Sequence, residues 1–143
     1  VLNRMKLEFL NRSENESFAR VAVAALVAPL DPTVEELTEN KTAVSEAVSN
    51  AIIHAYKEDE DGLVTLECFV EEGGKVTIIV SDKGVGIEDV NLAREPLYTS
   101  RPSEERSGMG FTVMESFMDK LEVESAPGEG TRVTMIKNLD YVL

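Results

Sequence analysis

A chain of 143 residues with 43% hydrophobic content supports one ordinary core, so a single domain over 1–143 is expected. Fourteen Lys and Arg against 27 Asp and Glu give a net charge of −13, which opposes a phosphate backbone and argues against nucleic acid as a direct partner. No apolar run approaches the roughly 20 residues of a membrane span, and the first residues carry no signal-type apolar block, so no membrane contact and a cytoplasmic location are expected.

Residues Met5 to Asn11 alternate as a first strand. Ser13 then stands as N-cap, with Glu16 placed for a capping box, opening a helix from about Glu14 to Pro29. Its apolar positions Phe18, Val21, Ala22, Ala25 and Leu26 fit a 3.6 period, with Glu14, Glu16 and Arg20 facing elsewhere. A second box, Thr33 with Glu36, opens a long helix through about Tyr56. Two strands follow, Leu63 to Val70 and Lys75 to Ser81, joined by the glycine turn EEGG. The first alternates Val64, Leu66, Cys68 and Val70 onto one face, which makes the lone cysteine a reduced core residue.

After DKGVGIEDV comes a segment to Gly108 with weak periodicity and two prolines; a loop that long in a compact domain is usually functional. A helix from Gly110 to about Leu121 and two last strands flanking APGEGT complete the chain. The order β-α-α-β-β-loop-α-β-β predicts an α+β sandwich with helices on one face of a mixed or antiparallel sheet.

Four boxes carry the chemistry. In SEAVSNAIIHAY, Glu46, Asn50 and His54 recur every four residues and form one polar column on the helix. DKGVG leaves the end of a strand; its glycines allow a flat ligand close to the backbone, and Asp82 can accept a hydrogen bond from an amino group. Taken alone it reads more readily as a strand-ending turn with a solvated Asp. SGMG (Ser107, Gly108, Met109 and Gly110) sits at the mouth of a helix, where free amides and the dipole suit phosphate oxygens, or where a hinge would sit. Arg101 and Arg106 flank that mouth in sequence and suit phosphate or an acidic partner. APGEGT sets Gly130 and Thr131 at the start of the last strand.

Phosphoryl transfer needs Mg²⁺ on oxygen ligands and a carboxylate to take the proton of the attacking hydroxyl. Asn50 offers a carbonyl to Mg²⁺, and Glu46, one turn earlier, is placed to be the base. His54 reads as a histidine shaping the phosphate side of a pocket rather than a phosphoacceptor.

The ordered set of Glu46 and Asn50, DKGVG, SGMG and GT closely resembles the GHKL ATPase and kinase superfamily, over nearly the whole chain. Within it, the N-terminal NRSENESFARVAVAALVAPLDPTVEELTENKTAVSEAVSNAIIHAY and the segment LYTSRPSEERSGMGFTVMESFMD resemble the sporulation anti-sigma factors that are serine-protein kinases. That resemblance implies a two-layer α/β sandwich of the GHKL (Bergerat) type, with a mixed, mostly antiparallel sheet. It implies Mg-ATP as cofactor, with ADP after turnover. Asp82 would meet the adenine amino group with Thr131 nearby, Asn50 would hold Mg²⁺, and Glu46 would be the catalytic base.

It also implies an ATP lid at about 88–107, nucleotide turns at Gly84, Gly86, Gly108 and Gly110, and Arg106 at the phosphate end or the protein substrate. The implied assembly is a homodimer that holds a sigma factor of the sigma F type inactive and phosphorylates an anti-anti-sigma factor on serine, with Glu16, Arg20 and Arg106 as partner contacts. Ala55 stands where relatives often have glycine, and Arg101 where lysine is common before proline. A histidine autokinase would need a phosphoacceptor outside the nucleotide box, and a gyrase-like ATPase would need transducer domains. An anti-sigma module with a dead kinase site is the remaining rival, against which the intact Glu46 and Asn50 argue.

Overall fold

A computed structural model describes residues 1–56, 61–95 and 110–140. Most of the segment expected as a lid lies outside them, as do Arg101, Arg106, Ser107, Gly108 and Met109.

Five strands form one sheet: β1 (Asn3–Leu10), β2 (Leu63–Val70), β3 (Lys75–Asp82), β4 (Lys120–Ala126) and β5 (Gly130–Asn138), in the order β1-β2-β3-β5-β4. Every neighbouring pair is antiparallel, so among the described residues the sheet has no mixed pairing. Period-2 patterning explains the layer: Val64, Leu66, Cys68 and Val70 of β2 are buried and alternate with less buried Thr65, Glu67 and Phe69. Val76, Ile78 and Val80 of β3 and Val133 and Met135 of β5 extend the same core. Cys68 is a free, buried thiol, and burial pushes its pKa up to about 12.

The helices α1 (Glu14–Val27), α2 (Val34–Asn50) and α4 (Gly110–Phe117) contribute Ala19, Val23, Val27, Ala43, Val44, Ala47, Val48 and Met114 to that core. Each large aliphatic side chain taken out of water there contributes about 1.5–3 kcal/mol. The box at Thr33 is formed: its hydroxyl accepts the Glu36 amide at 3.0 Å, and its own amide donates to Glu36 Oε1 at 2.9 Å. Among the described residues, no helix is long and apolar enough to cross a membrane.

Several expectations are corrected. Ser13 makes no side-chain cap bond, because its backbone is already helical where a cap needs extended geometry; Glu16 turns instead to Arg20, at 3.2 Å. The buried row of α1 is Ala19, Val23 and Val27, while Phe18 and Val21 are 55% and 59% exposed. Small residues let the helix approach its neighbours closely, and the bulkier row is left facing outward. After Val27 the chain tightens into a 3₁₀ turn, Ala28–Leu30. The long helix is regular only to Asn50, and Ala51–Ala55 form a π turn. Helix α4 stops at Phe117 rather than near Leu121, because the Asp119 amide already pairs with the Ile136 carbonyl at 2.8 Å and draws the chain into the sheet. One short helix, α3 (Val90–Ala93), interrupts the segment read as irregular; Asp89 caps it through the Leu92 amide at 3.1 Å.

Candidate functional site

The C-terminal end of α2, the π turn, the end of β3 with the loop after it, the start of α4 and the start of β5 enclose a cleft of about 660 Å³. Its size and its mixture of apolar walls with a few polar groups suit a small organic ligand. Val80, Val85, Ile87 and Val133 supply apolar surface, and Asn50, His54, Asp82 and Thr131 supply polar atoms.

Asp82 ends β3 directly opposite Thr131 of β5. Its Oδ1 accepts the Gly84 amide at 2.9 Å. Burial pushes the carboxyl above its ordinary value, and the amides of Gly84 and Thr131 partly oppose that. A carboxylate has more acceptor sites than these two amides fill, so Asp82 keeps capacity for a ligand donor in the cleft. Gly84 itself does not line the cleft; it packs on the π turn, where a Cβ would fall 2.0 Å from the Ala55 carbonyl oxygen. That close approach lets the Val85 amide donate to the same carbonyl at 2.8 Å, which fixes the loop against α2. Gly86 lines the cleft, with φ of 77°.

Glu46 and Asn50 share the regular part of α2 and lie together at the mouth of the cleft beside Gly110. His54 belongs to the π turn, whose wider winding sets it off the straight column, yet it lines the same cleft as Asn50. Four sequence-selected residues, Asn50, His54, Asp82 and Thr131, therefore converge with Gly86 and Gly110 on one cavity, and Glu46 sits at its edge. Glu16 and Arg20 stand apart from it on α1, paired to each other, with Arg20 Nη1 also 3.5 Å from Ser45 Oγ.

Among the described residues, no cluster of three acidic, histidine or cysteine side chains forms a metal cage. Mg²⁺ bound with a nucleotide takes few protein ligands and many phosphate and water oxygens, so a single amide such as Asn50 fits that donor set. No lysine or arginine appears among the described residues of the cleft lining. Reasoning from the sequence missed Leu92 and Phe111 in the lining, and Ser125 behind Thr131. The register of the APGEGT hairpin, which sets Ser125 across from Thr131, is the signal that would have found the last.

Such a sandwich, with its cleft between helices and sheet, defines a class, and the histidine kinase-like ATPase domain family matches residues 9–137. The chain is 64% identical over 140 residues to the anti-sigma F factor of Clostridium novyi, covering 98% of this chain and 97% of that one. It is 61% identical over 137 residues to the anti-sigma F factor of Pasteuria penetrans, covering 96% and 91%. Among solved structures, the RsbU and RsbW domains of a Mycobacterium tuberculosis protein share the fold at a TM-score of 0.70 and 17% identity, covering 96% of this chain and 32% of that one. The mycobacterial sensor histidine kinase MprB does so at 0.60 and 16%, covering 95% and 100%. The chain belongs to the anti-sigma F factor family, within the histidine kinase-like ATPases.

Proposed function

We propose that this chain binds Mg-ATP in the cleft and is both an anti-sigma factor and a serine-protein kinase. It holds a sigma factor of the F type inactive and phosphorylates the anti-anti-sigma antagonist on serine. The observation that carries this reading is the separation of two polar centres within one site: Asp82 and Thr131 on the sheet, Glu46 and Asn50 at the mouth. A nucleotide with its base on the first centre would extend its phosphates toward the second.

Asp82 accepts the adenine amino group, and Thr131 assists beside it. Asn50 would hold Mg²⁺ through its side-chain carbonyl, and the ion would supply charge stabilisation to the transferring phosphate. Glu46 takes the proton of the serine hydroxyl as its oxygen bonds to the γ-phosphorus and the bond to ADP breaks. His54 shapes the phosphate side, and Gly86 and Gly110 make backbone turns around the nucleotide. Arg101, Arg106 and Ser107 of the lid segment, with Gly108 and Met109 that follow it in sequence, complete the phosphate end.

Partner contacts are assigned to the Glu16–Arg20 pair on α1, with Arg106. Beside that pair, Phe18 and Val21 are exposed large apolar side chains, which supports a role of this helix in association with the sigma factor or with a second copy in a homodimer. Glu46→Gln tests the reading. It is expected to retain ATP and sigma binding while phosphate transfer falls about 10²- to 10⁴-fold. Loss of ATP binding together with transfer would make Glu46 a structural residue.

A further inference from the structure

Ser125, on β4, lies opposite Thr131 of β5 and behind the wall of the cleft rather than in it. Three polar atoms meet its hydroxyl: the Gly130 carbonyl oxygen at 2.8 Å, the Ile87 amide nitrogen at 2.7 Å and Thr131 Oγ1 at 2.8 Å. A serine hydroxyl has one proton and two lone pairs. The proton goes to the Gly130 carbonyl, which can only accept, and one lone pair takes the Ile87 N–H, which can only donate. The remaining lone pair therefore accepts from Thr131. Thr131 spends its single hydroxyl proton on Ser125, away from the ligand, and its Oγ1 keeps only acceptor capacity toward the cleft.

That places two acceptors next to each other, because Thr131 is also the cross-strand partner of Asp82. We propose that Ser125 is a specificity-determining positioning residue: by holding the Thr131 hydroxyl as an acceptor, it makes the cleft select a purine that bears an exocyclic amine over one that bears a carbonyl there. An amine brings two hydrogens to two acceptors. A carbonyl oxygen at the same place meets lone pairs and finds no donor, and a buried polar group left unpaired is penalised more than a made bond is rewarded. The bond from the Ile87 amide ties the loop that follows Gly86 to the same hydroxyl, so base selection and the wall of the cleft share one anchor.

This inference rests on the ATP reading above, and the test separates the two. Dissociation constants for Mg-ATP and Mg-ITP are measured by calorimetry on the full chain, in wild type, Ser125→Ala, Ser125→Thr, Thr131→Val and the Ser125→Ala/Thr131→Val double variant. Wild type is expected to prefer ATP. Ser125→Ala frees the Thr131 proton to turn toward a carbonyl, and the ATP:ITP preference is expected to fall about tenfold, the worth of roughly one hydrogen bond. Ser125→Thr, which keeps the hydroxyl, retains the preference, and in the Thr131→Val background Ser125→Ala leaves it unmoved. Parallel weakening of both nucleotides with an unchanged ratio would overturn the inference and leave Ser125 a structural support. Wild type that binds neither nucleotide would overturn the ATP reading and the inference with it. Should Ser125→Ala fail to fold, Thr131→Val carries the test, since an unchanged ratio in that variant overturns the inference as well.

Discussion

Gly110 and Asn50 meet across the mouth of the cleft: a Cβ on Gly110 would lie 2.9 Å from Asn50 Nδ2 and 3.2 Å from its Oδ1, with Glu46 Oε2 at 3.3 Å. The first turn of α4 is thus seated on the two side chains to which the proposed chemistry assigns metal binding and proton removal. Gly110→Ala forces the Asn50 amide aside. Its movable end can give way, so the fold should tolerate the change, with a melting temperature close to wild type. Phosphate transfer is expected to fall about 10- to 100-fold, because small displacements of positioning groups are costly in rate. Equal transfer rates in the two proteins would separate Gly110 from the site.

Asp82 sets function against stability. Burial raises its pKa above the ordinary value of about 3.9, so protonation is easier in the folded protein than in the unfolded chain. The stability this group contributes is full below the ordinary value and is lost as pH rises through the raised one. At neutral pH the ionised carboxylate is then a cost that the ligand-free protein bears. Asp82→Asn is expected to melt at or above the wild-type temperature at pH 7, while ATP affinity drops by about tenfold or more. In wild type, ATP affinity should start to fall on acidification at a pH above the ordinary aspartate range. Unchanged nucleotide affinity in the variant would remove Asp82 from base recognition.

The box at the start of α2 makes the opposite case. Glu36 is held below the usual carboxylate value, first by the Thr33 amide and also by the amide of Asp140, which donates to Oε2 at 2.8 Å. Its contribution is present above the ordinary value of about 4.3 and disappears as pH falls through the lowered one. Thr33→Ala is expected to cost about 1 kcal/mol in denaturant unfolding at pH 7. The stability gap between wild type and Glu36→Gln should narrow below pH of about 4. A gap that widens on acidification would contradict the assignment.

Asn40 of α2 is fully buried, and neither its Oδ1 nor its Nδ2 has a hydrogen-bond partner among the described residues. An unpaired buried amide costs about 1–3 kcal/mol. Asn40→Leu, similar in volume, is expected to raise the midpoint of urea unfolding, with transfer activity kept. A lowered midpoint would mean that the amide is satisfied in solution.

What the sequence made legible follows how local each determinant is. Strand β2 alternates strictly, β3 is a β-branched run broken from alternation only at Ile79, and both end in glycine turns, so their bounds are readable to within a residue. The Thr33 box and the pairing of Glu46 with Asn50 depend only on regular helix geometry. The buried face of α1 is not readable, because the rows Phe18–Val21–Ala25 and Ala19–Val23–Val27 are both apolar and periodicity cannot choose between them. The π turn answers to a tertiary contact, the Val85 amide on the Ala55 carbonyl, and the end of α4 answers to pairing of Asp119 with β5. Ser125 acquires its meaning only from strand register.

Phosphate transfer to a protein serine is read directly by incubating the chain with Mg-ATP labelled at the γ-phosphate and an anti-anti-sigma protein. Label is expected on a serine of that protein and is expected to be lost when Glu46 is changed to Gln. Tight binding of ATP with no label transferred would contradict that expectation and leave a nucleotide-dependent binding module in place of a kinase.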